Sequence, residues 1–161
     1  MKPTTYCKFL LIAMVASQVQ AAPSIWDAAK EAHTGSKNIT VYHDPNCGCC
    51  KDWIKHLKKH DFNVTDVPTG NMSAIKQQYN VPANMGSCHT AVIDGYVVEG
   101  HVPADDIKKL LKTRPDIVGL SVPQMPAGTP GMEQDGKKDP FAVMKFTKSG
   151  QIDSFSEYWT Y

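Results

Sequence analysis

Neither sign of charge dominates this sequence: 17 Lys and Arg stand against 16 Asp and Glu in 161 residues. So even a balance supplies no basic field to hold a phosphate backbone, which argues against nucleic acid as a partner. Glycine and proline, 11 of each, are too few for a low-complexity chain. No internal repeat, Ser-His-Asp arrangement, paired-carboxylate signal, phosphate-cradling glycine loop or dinucleotide fingerprint stands out. The apolar run Phe9 to Ala16 is too short for a permanent membrane anchor. What is present, 42% hydrophobic and 20% charged residues, is the composition of one globular domain with room for a core.

The N-terminal run has a different use. Lys2 and Lys8 precede it, and Val19-Gln20-Ala21 places small residues at the two positions a signal peptidase reads. The expectation is a signal peptide over residues 1–21, cleaved to leave Ala22 first, and a periplasmic mature protein without a membrane anchor. Cys7 is lost with that leader. Cys47, Cys49, Cys50 and Cys88 remain, an even number that would suit two structural disulfides in an oxidising compartment. Their spacing argues otherwise, because such bridges gain most by closing long loops and three of the four lie within Cys47-Gly48-Cys49-Cys50.

Along residues 22–38 the pattern suggests a short amphipathic helix, Ile25 to Ala32, and a polar link. Ile39-Thr40-Val41-Tyr42 reads as a buried strand stopped by Asp44-Pro45-Asn46. A helix from about Cys49 to His60 follows, with Trp53, Ile54 and Leu57 on one stripe. Its His56 and His60 have the i, i+4 spacing of a metal pair, but neighbouring Lys55, Lys58 and Lys59 favour a solvated face. Phe62 to Val67 is a second strand and Ser73 to Tyr79 a short helix. Asp94-Gly95 joins Thr90–Ile93 to Tyr96–Glu99 as a hairpin. A last helix starts at Pro103, with Asp105 and Asp106 near its positive end, and stops before Pro115.

This order, strand, helix, strand, helix, strand, strand, helix, is that of a thioredoxin-like α/β fold over residues 39–114. Residues 115–161 form an extension: an irregular Met/Pro/Gly-rich segment from Val122 to Met132, a polar loop, and a closing β-hairpin of Phe141–Thr147 and Gln151–Tyr158.

Cys47 and Cys50 make a C-x-x-C pair at a helix N-terminus, where unpaired amides and the helix dipole favour thiolate, the form that attacks disulfides and binds metals. Cys49 adds a third thiol that a plain dithiol oxidoreductase does not need. In this fold the loop before the third strand packs against the dithiol and usually carries a cis-proline; here it reads Gly86-Ser87-Cys88-His89-Thr90 and brings a fourth sulfur. Clustered soft sulfur suits Cu(I) or Zn(II). A Cys47/Cys50 disulfide beside two ordinary buried cysteines is the alternative.

Five segments together resemble the CopG-type periplasmic copper-resistance proteins: Asp44-Pro-Asn-Cys-Gly-Cys-Cys50, Ser87-Cys-His-Thr-Ala91, Asp94-Gly-Tyr96, Glu99-Gly-His-Val-Pro-Ala104 and Val122 to Glu133. The resemblance implies cysteine-bridged copper held by Cys47, Cys49, Cys50 and Cys88, and an extension that helps to bind it; four converging thiolates are more than one Cu(I) needs, so more than one ion is expected. The resemblance further implies a copper oxidoreductase in which Cys47 and Cys50 are catalytic and Cu(I) and Cu(II) are interconverted before efflux. Efflux components or a periplasmic redox partner would be its contacts. Met125 and Met132 are neutral thioether donors that either fold over the site or fill gaps. His89 is a further candidate ligand, although strand alternation would turn it away from Cys88. His43 and His101 remain open between ligand and structural roles. A copper buffer or metallochaperone, and a metal-free thiol-disulfide oxidoreductase, are the competing functions.

Overall fold

The computed structural model describes residues 24–133 and 136–161. The expected signal peptide and the cleavage site before Ala22 lie outside the described residues. Among the described residues, seven strands form one mixed sheet, with three α-helices packed on it. In chain order these are β1 (Asn38–His43), α1 (Gly48–Lys59), β2 (Asn63–Pro68), α2 (Met72–Gln78), β3 (His89–Ile93), β4 (Tyr96–Glu99), α3 (Ala104–Thr113), β5 (Gly119–Ser121), β6 (Phe141–Phe146) and β7 (Ile152–Tyr158). The sheet order is β2-β1-β3-β4-β5-β6-β7, with β1/β2 and β4/β5 parallel and the other pairs antiparallel. No helix among the described residues is long and apolar enough to cross a membrane.

Two adjacent register rows explain how the sheet divides its labour. Val41, Ala91, Val98 and Leu120 face one another across β1, β3, β4 and β5, and all four are fully buried. With Trp53 and Leu57 of α1 and Ile107 and Leu110 of α3 they form the centre of the core. One residue along each strand, side chains turn to the other face. There Thr90, Glu99 and Ser121 form a second row that is polar yet equally buried. The first row gives stability through apolar burial; the second underlies the loop that carries Cys88.

The segment expected to be a helix at Ile25–Ala32 is irregular. The physical reason is tertiary. Trp26 is drawn into an aromatic group with Phe141, Tyr158 and Tyr161, and its indole N–H donates to the Gly128 carbonyl at 2.8 Å. The amides of Lys30 and Glu31 donate to the Asp105 carboxylate at 2.9 and 3.3 Å, so they are satisfied without helical carbonyls.

The closing hairpin is present as β6 and β7, at one edge of the sheet. It reaches the rest through β5, a three-residue strand that the sequence pattern does not signal. Gly119 begins that strand because a Cβ there would overlap the Val97 carbonyl of β4. From Val122 to Met132 the chain is irregular, as expected, and lies over the first turns of α1.

Candidate metal centre

The turn after β1 sets the site. Cys47 N–H donates to the Asp44 carbonyl at 3.0 Å and Asn46 N–H to the Asp44 carboxylate at 2.8 Å, which reverses the chain and delivers Cys47 as the N-cap of α1. The Cys47 sulfur accepts from the Cys50 amide at 3.3 Å, doing for this helix what a Ser or Asp side chain does for most. Cys47 and Cys50 are joined by a disulfide, while Cys49 and Cys88 are free thiols. The Cys49 sulfur is 3.5 Å from that of Cys47. All four sulfurs lie within 4.8 Å of one another, with Cys50 buried and the other three partly exposed. That arrangement can serve thiol–disulfide exchange, or, once reduced, a soft metal ion.

A second constellation shares Cys88. Its sulfur is 3.2 Å from His89 Nδ1 and 3.1 Å from His101 Nε2. One sulfur and two ring nitrogens of these three residues lie within 4.8 Å of one another. His101 Nδ1 donates to the Pro130 carbonyl at 2.8 Å, which leaves Nε2 as the lone-pair nitrogen facing Cys88. His89 is fully buried with its ring 4.3 Å from that of Trp53, and its Nε2 has no hydrogen-bond partner. Burial lowers both imidazoles, the neighbouring imidazole adding to the effect on His89, so they stay neutral and able to donate a lone pair. Burial first, and the Cys49 thiol second, push Cys88 up to about 12, so metal-free Cys88 is a neutral thiol.

Alternation does not separate His89 from Cys88, because Cys88 precedes β3 and the two-residue period has not begun there. His101, left open by the sequence, approaches as closely as His89. A usable signal lay in the Glu99-Gly-His segment, since a glycine at the end of a hairpin strand lets the chain turn its next side chain back toward the strand pair. Here Gly100 N–H donates to the His89 carbonyl at 3.0 Å.

Met125 is half exposed and Met132 is partly buried. Met132 follows Gly131, whose backbone sits against the Cys49 carbonyl and the Trp53 amide, so the chain just before it passes over the first turns of α1. His43 is buried but directed elsewhere, to the Asp44 carbonyl and the Asp66 carboxylate, each at 2.7 Å. His56 and His60 do not form a solvated face: both are buried. His56 Nε2 accepts from Ala104 N–H at 3.0 Å and His60 Nε2 donates to the Trp26 carbonyl at 2.5 Å. Each thereby satisfies a backbone group that burial would otherwise orphan, while their lysine neighbours take the exposed side of α1.

Residues 85–132 match a family model described as protein of unknown function, DUF411. That span contains Cys88, His89, Glu99, His101, Met125 and Met132. No curated protein matches the chain. Two solved structures do, named copper resistance protein CopG, Form 1 and Form 2. Both are 54% identical to this chain and cover 77% of it, spanning 98% and 99% of their own lengths at TM-scores of 0.73 and 0.74. Identity at that level over nearly the whole of both relatives makes this chain a member of the CopG family of copper resistance proteins.

Proposed function

We propose that this chain is a periplasmic copper protein that interconverts Cu(I) and Cu(II) at a cysteine-bridged site, on a thioredoxin-like domain of residues 39–114 whose extension, 115–161, closes over the metal. Residues 1–21 would direct export and be removed. The observation that carries the reading is the meeting of four sulfurs with two neutral imidazoles at Cys88. Thiolates hold Cu(I); nitrogen donors make Cu(II) tolerable, so one set of residues serves both states.

Copper is the cargo and the redox substrate of such a site. Cys47, Cys49, Cys50 and Cys88 would provide the sulfur, His89 and His101 the nitrogen, and Met132, ahead of the more exposed Met125, a thioether. Four sulfurs exceed the need of one Cu(I) and can bridge, so the reading includes more than one ion per chain. The Cys47–Cys50 bridge is the oxidised, metal-poor state. Opening it takes two electrons and two protons from an external dithiol, which becomes a disulfide. The freed thiols then lose protons as they bind metal. Each Cu(I) oxidised to Cu(II) sends one electron to a redox partner.

Stepwise oxidation and reduction of copper-loaded protein, followed by optical and spin-resonance spectra with a metal count, tests this. Retention of bound copper through a reversible Cu(II) signal is expected. Expulsion of copper with return of the Cys47–Cys50 disulfide would leave a buffer or metallochaperone. Failure to bind copper at all would leave the thiol–disulfide oxidoreductase, which the disulfide itself favours.

A further inference from the structure

Next to the Cys88 loop lies an ion pair, buried at its carboxylate and partly exposed at its ammonium, that the copper chemistry does not use. Glu99, the last residue of β4, is fully buried. One carboxylate oxygen accepts from Lys76 Nζ of α2 and from the Ser87 amide at 2.6 Å; the other accepts from Thr90 Oγ1 at 2.6 Å. All three partners are donors, the surroundings of a carboxylate held as an acceptor. A pair of this kind is a poor way to gain stability, because taking the carboxylate out of water costs about as much as its attraction to the partly exposed ammonium returns. Its placement suggests another use.

We propose that Glu99, charge-balanced by Lys76, is a positioning residue that fixes the Cys88 loop so that the Cys88 sulfur faces His89 and His101. The inference rests on the copper reading above. Residues 85–87 have no strand or α-helix to hold them, yet each is tied. Ser121 Oγ donates to the Met85 carbonyl at 2.6 Å, Gln124 N–H to the Gly86 carbonyl at 3.3 Å, and Ser87 Oγ to the Gln124 carbonyl. The tie to the Ser87 amide is the charge-assisted one, and it acts on the residue immediately before Cys88. Glu99 and Thr90 are register partners on β4 and β3, so the anchor belongs to the same strand pair that carries His89 and leads to His101. Loop and imidazoles are thus referred to one rigid frame, and a shift of Cys88 by a fraction of an ångström would alter both of its nitrogen contacts.

The test is the double variant Lys76→Met/Glu99→Met, which replaces the pair by apolar side chains of similar length and leaves no charge unpaired. In metal-free protein with the disulfide intact, alkylation by N-ethylmaleimide is followed at Cys88 and Cys49 by peptide mapping. Cu(I) affinity is measured by competition with bathocuproine disulfonate, in Cys88 and Cys88→Ser backgrounds. The expected result is Cys88 alkylation faster by about tenfold with Cys49 unchanged, and Cu(I) affinity lower by about tenfold only where Cys88 is present. Unchanged Cys88 alkylation, or an affinity loss equal in both backgrounds, overturns the proposal. If the parent protein takes up no copper, the copper reading fails while alkylation still decides the positioning role. Should the double variant not fold, Glu99→Gln is read the same way, with a change of about threefold expected in the same direction and no change overturning it.

Discussion

Cys49 is the residue whose chemistry separates a metal centre from a dithiol enzyme. It takes no part in the Cys47–Cys50 disulfide yet lies 3.5 Å from the Cys47 sulfur. Cys49→Ser is expected to lower the copper bound per chain by about half or more, with the disulfide still forming in air; metal analysis and thiol titration check both. His101 calls for a different expectation. Replacing it by Phe removes one nitrogen at Cys88 and should weaken Cu(II) retention by about tenfold or more, with a smaller effect on Cu(I), as read from spin-resonance signal per chain. The sulfurs were legible in the sequence because three are local and the fourth follows from topology. The nitrogen side was half legible, since His101 reaches Cys88 only through the link between β4 and α3 and its bond to Pro130 in the extension.

His56 supplies a residue-scale prediction that is free of metal. Burial, and then the charge of His60, hold its imidazole at about 3 against 6.5 when unfolded. A group kept neutral by folding adds stability that is whole above pH 6.5 and is lost as the pH falls from 6.5 toward 3. Between pH 7.5 and pH 5.0 this amounts to about 2 kcal/mol. Denaturant unfolding of metal-free His56→Gln should show a loss smaller by about that amount over the same interval.

At the scale of elements, the extension depends on one turn. Gly131 has φ of +81°, and a Cβ there would come within 2.6 Å of the Trp53 amide nitrogen and 3.1 Å of the Cys49 carbonyl oxygen. Neither can move without disturbing the first turns of α1. Gly131→Ala is therefore expected to cost about 1–3 kcal/mol and to loosen residues 122–133, seen as a lowered Tm and faster proteolytic cleavage there. Elements with local signals were read correctly: α1 by its apolar stripe, the β3–β4 hairpin by Asp94-Gly95, and α3 by its acidic first turn. Those that depend on distant partners were not. Trp26 leaves a helical pattern for aromatic neighbours more than a hundred residues away, and β5 has neither the length nor the β-branched content of a recognisable strand.

At the scale of the whole molecule, the described residues form one sheet, and the cysteine cluster and the C-terminal hairpin share it. Their joint is narrow: β5 pairs with β4 at Gly119, Leu120 and Ser121 only, and with β6 at the same three residues. Ser121 also reaches the Met85 carbonyl, so a disturbance at this joint is passed to the Cys88 loop. The hairpin moreover decides which strand ends the sheet. As built, the free edges are β2, with Asp66 and Pro68, and β7, with Asp153 and Glu157 exposed. Charges and proline on an edge discourage pairing with another chain. A protein cut after Pro140 would instead end at β5, uncharged and unprotected. Such a fragment is expected to self-associate, visible as light scattering at concentrations where the full chain stays clear, so β6 and β7 act as a guard against aggregation.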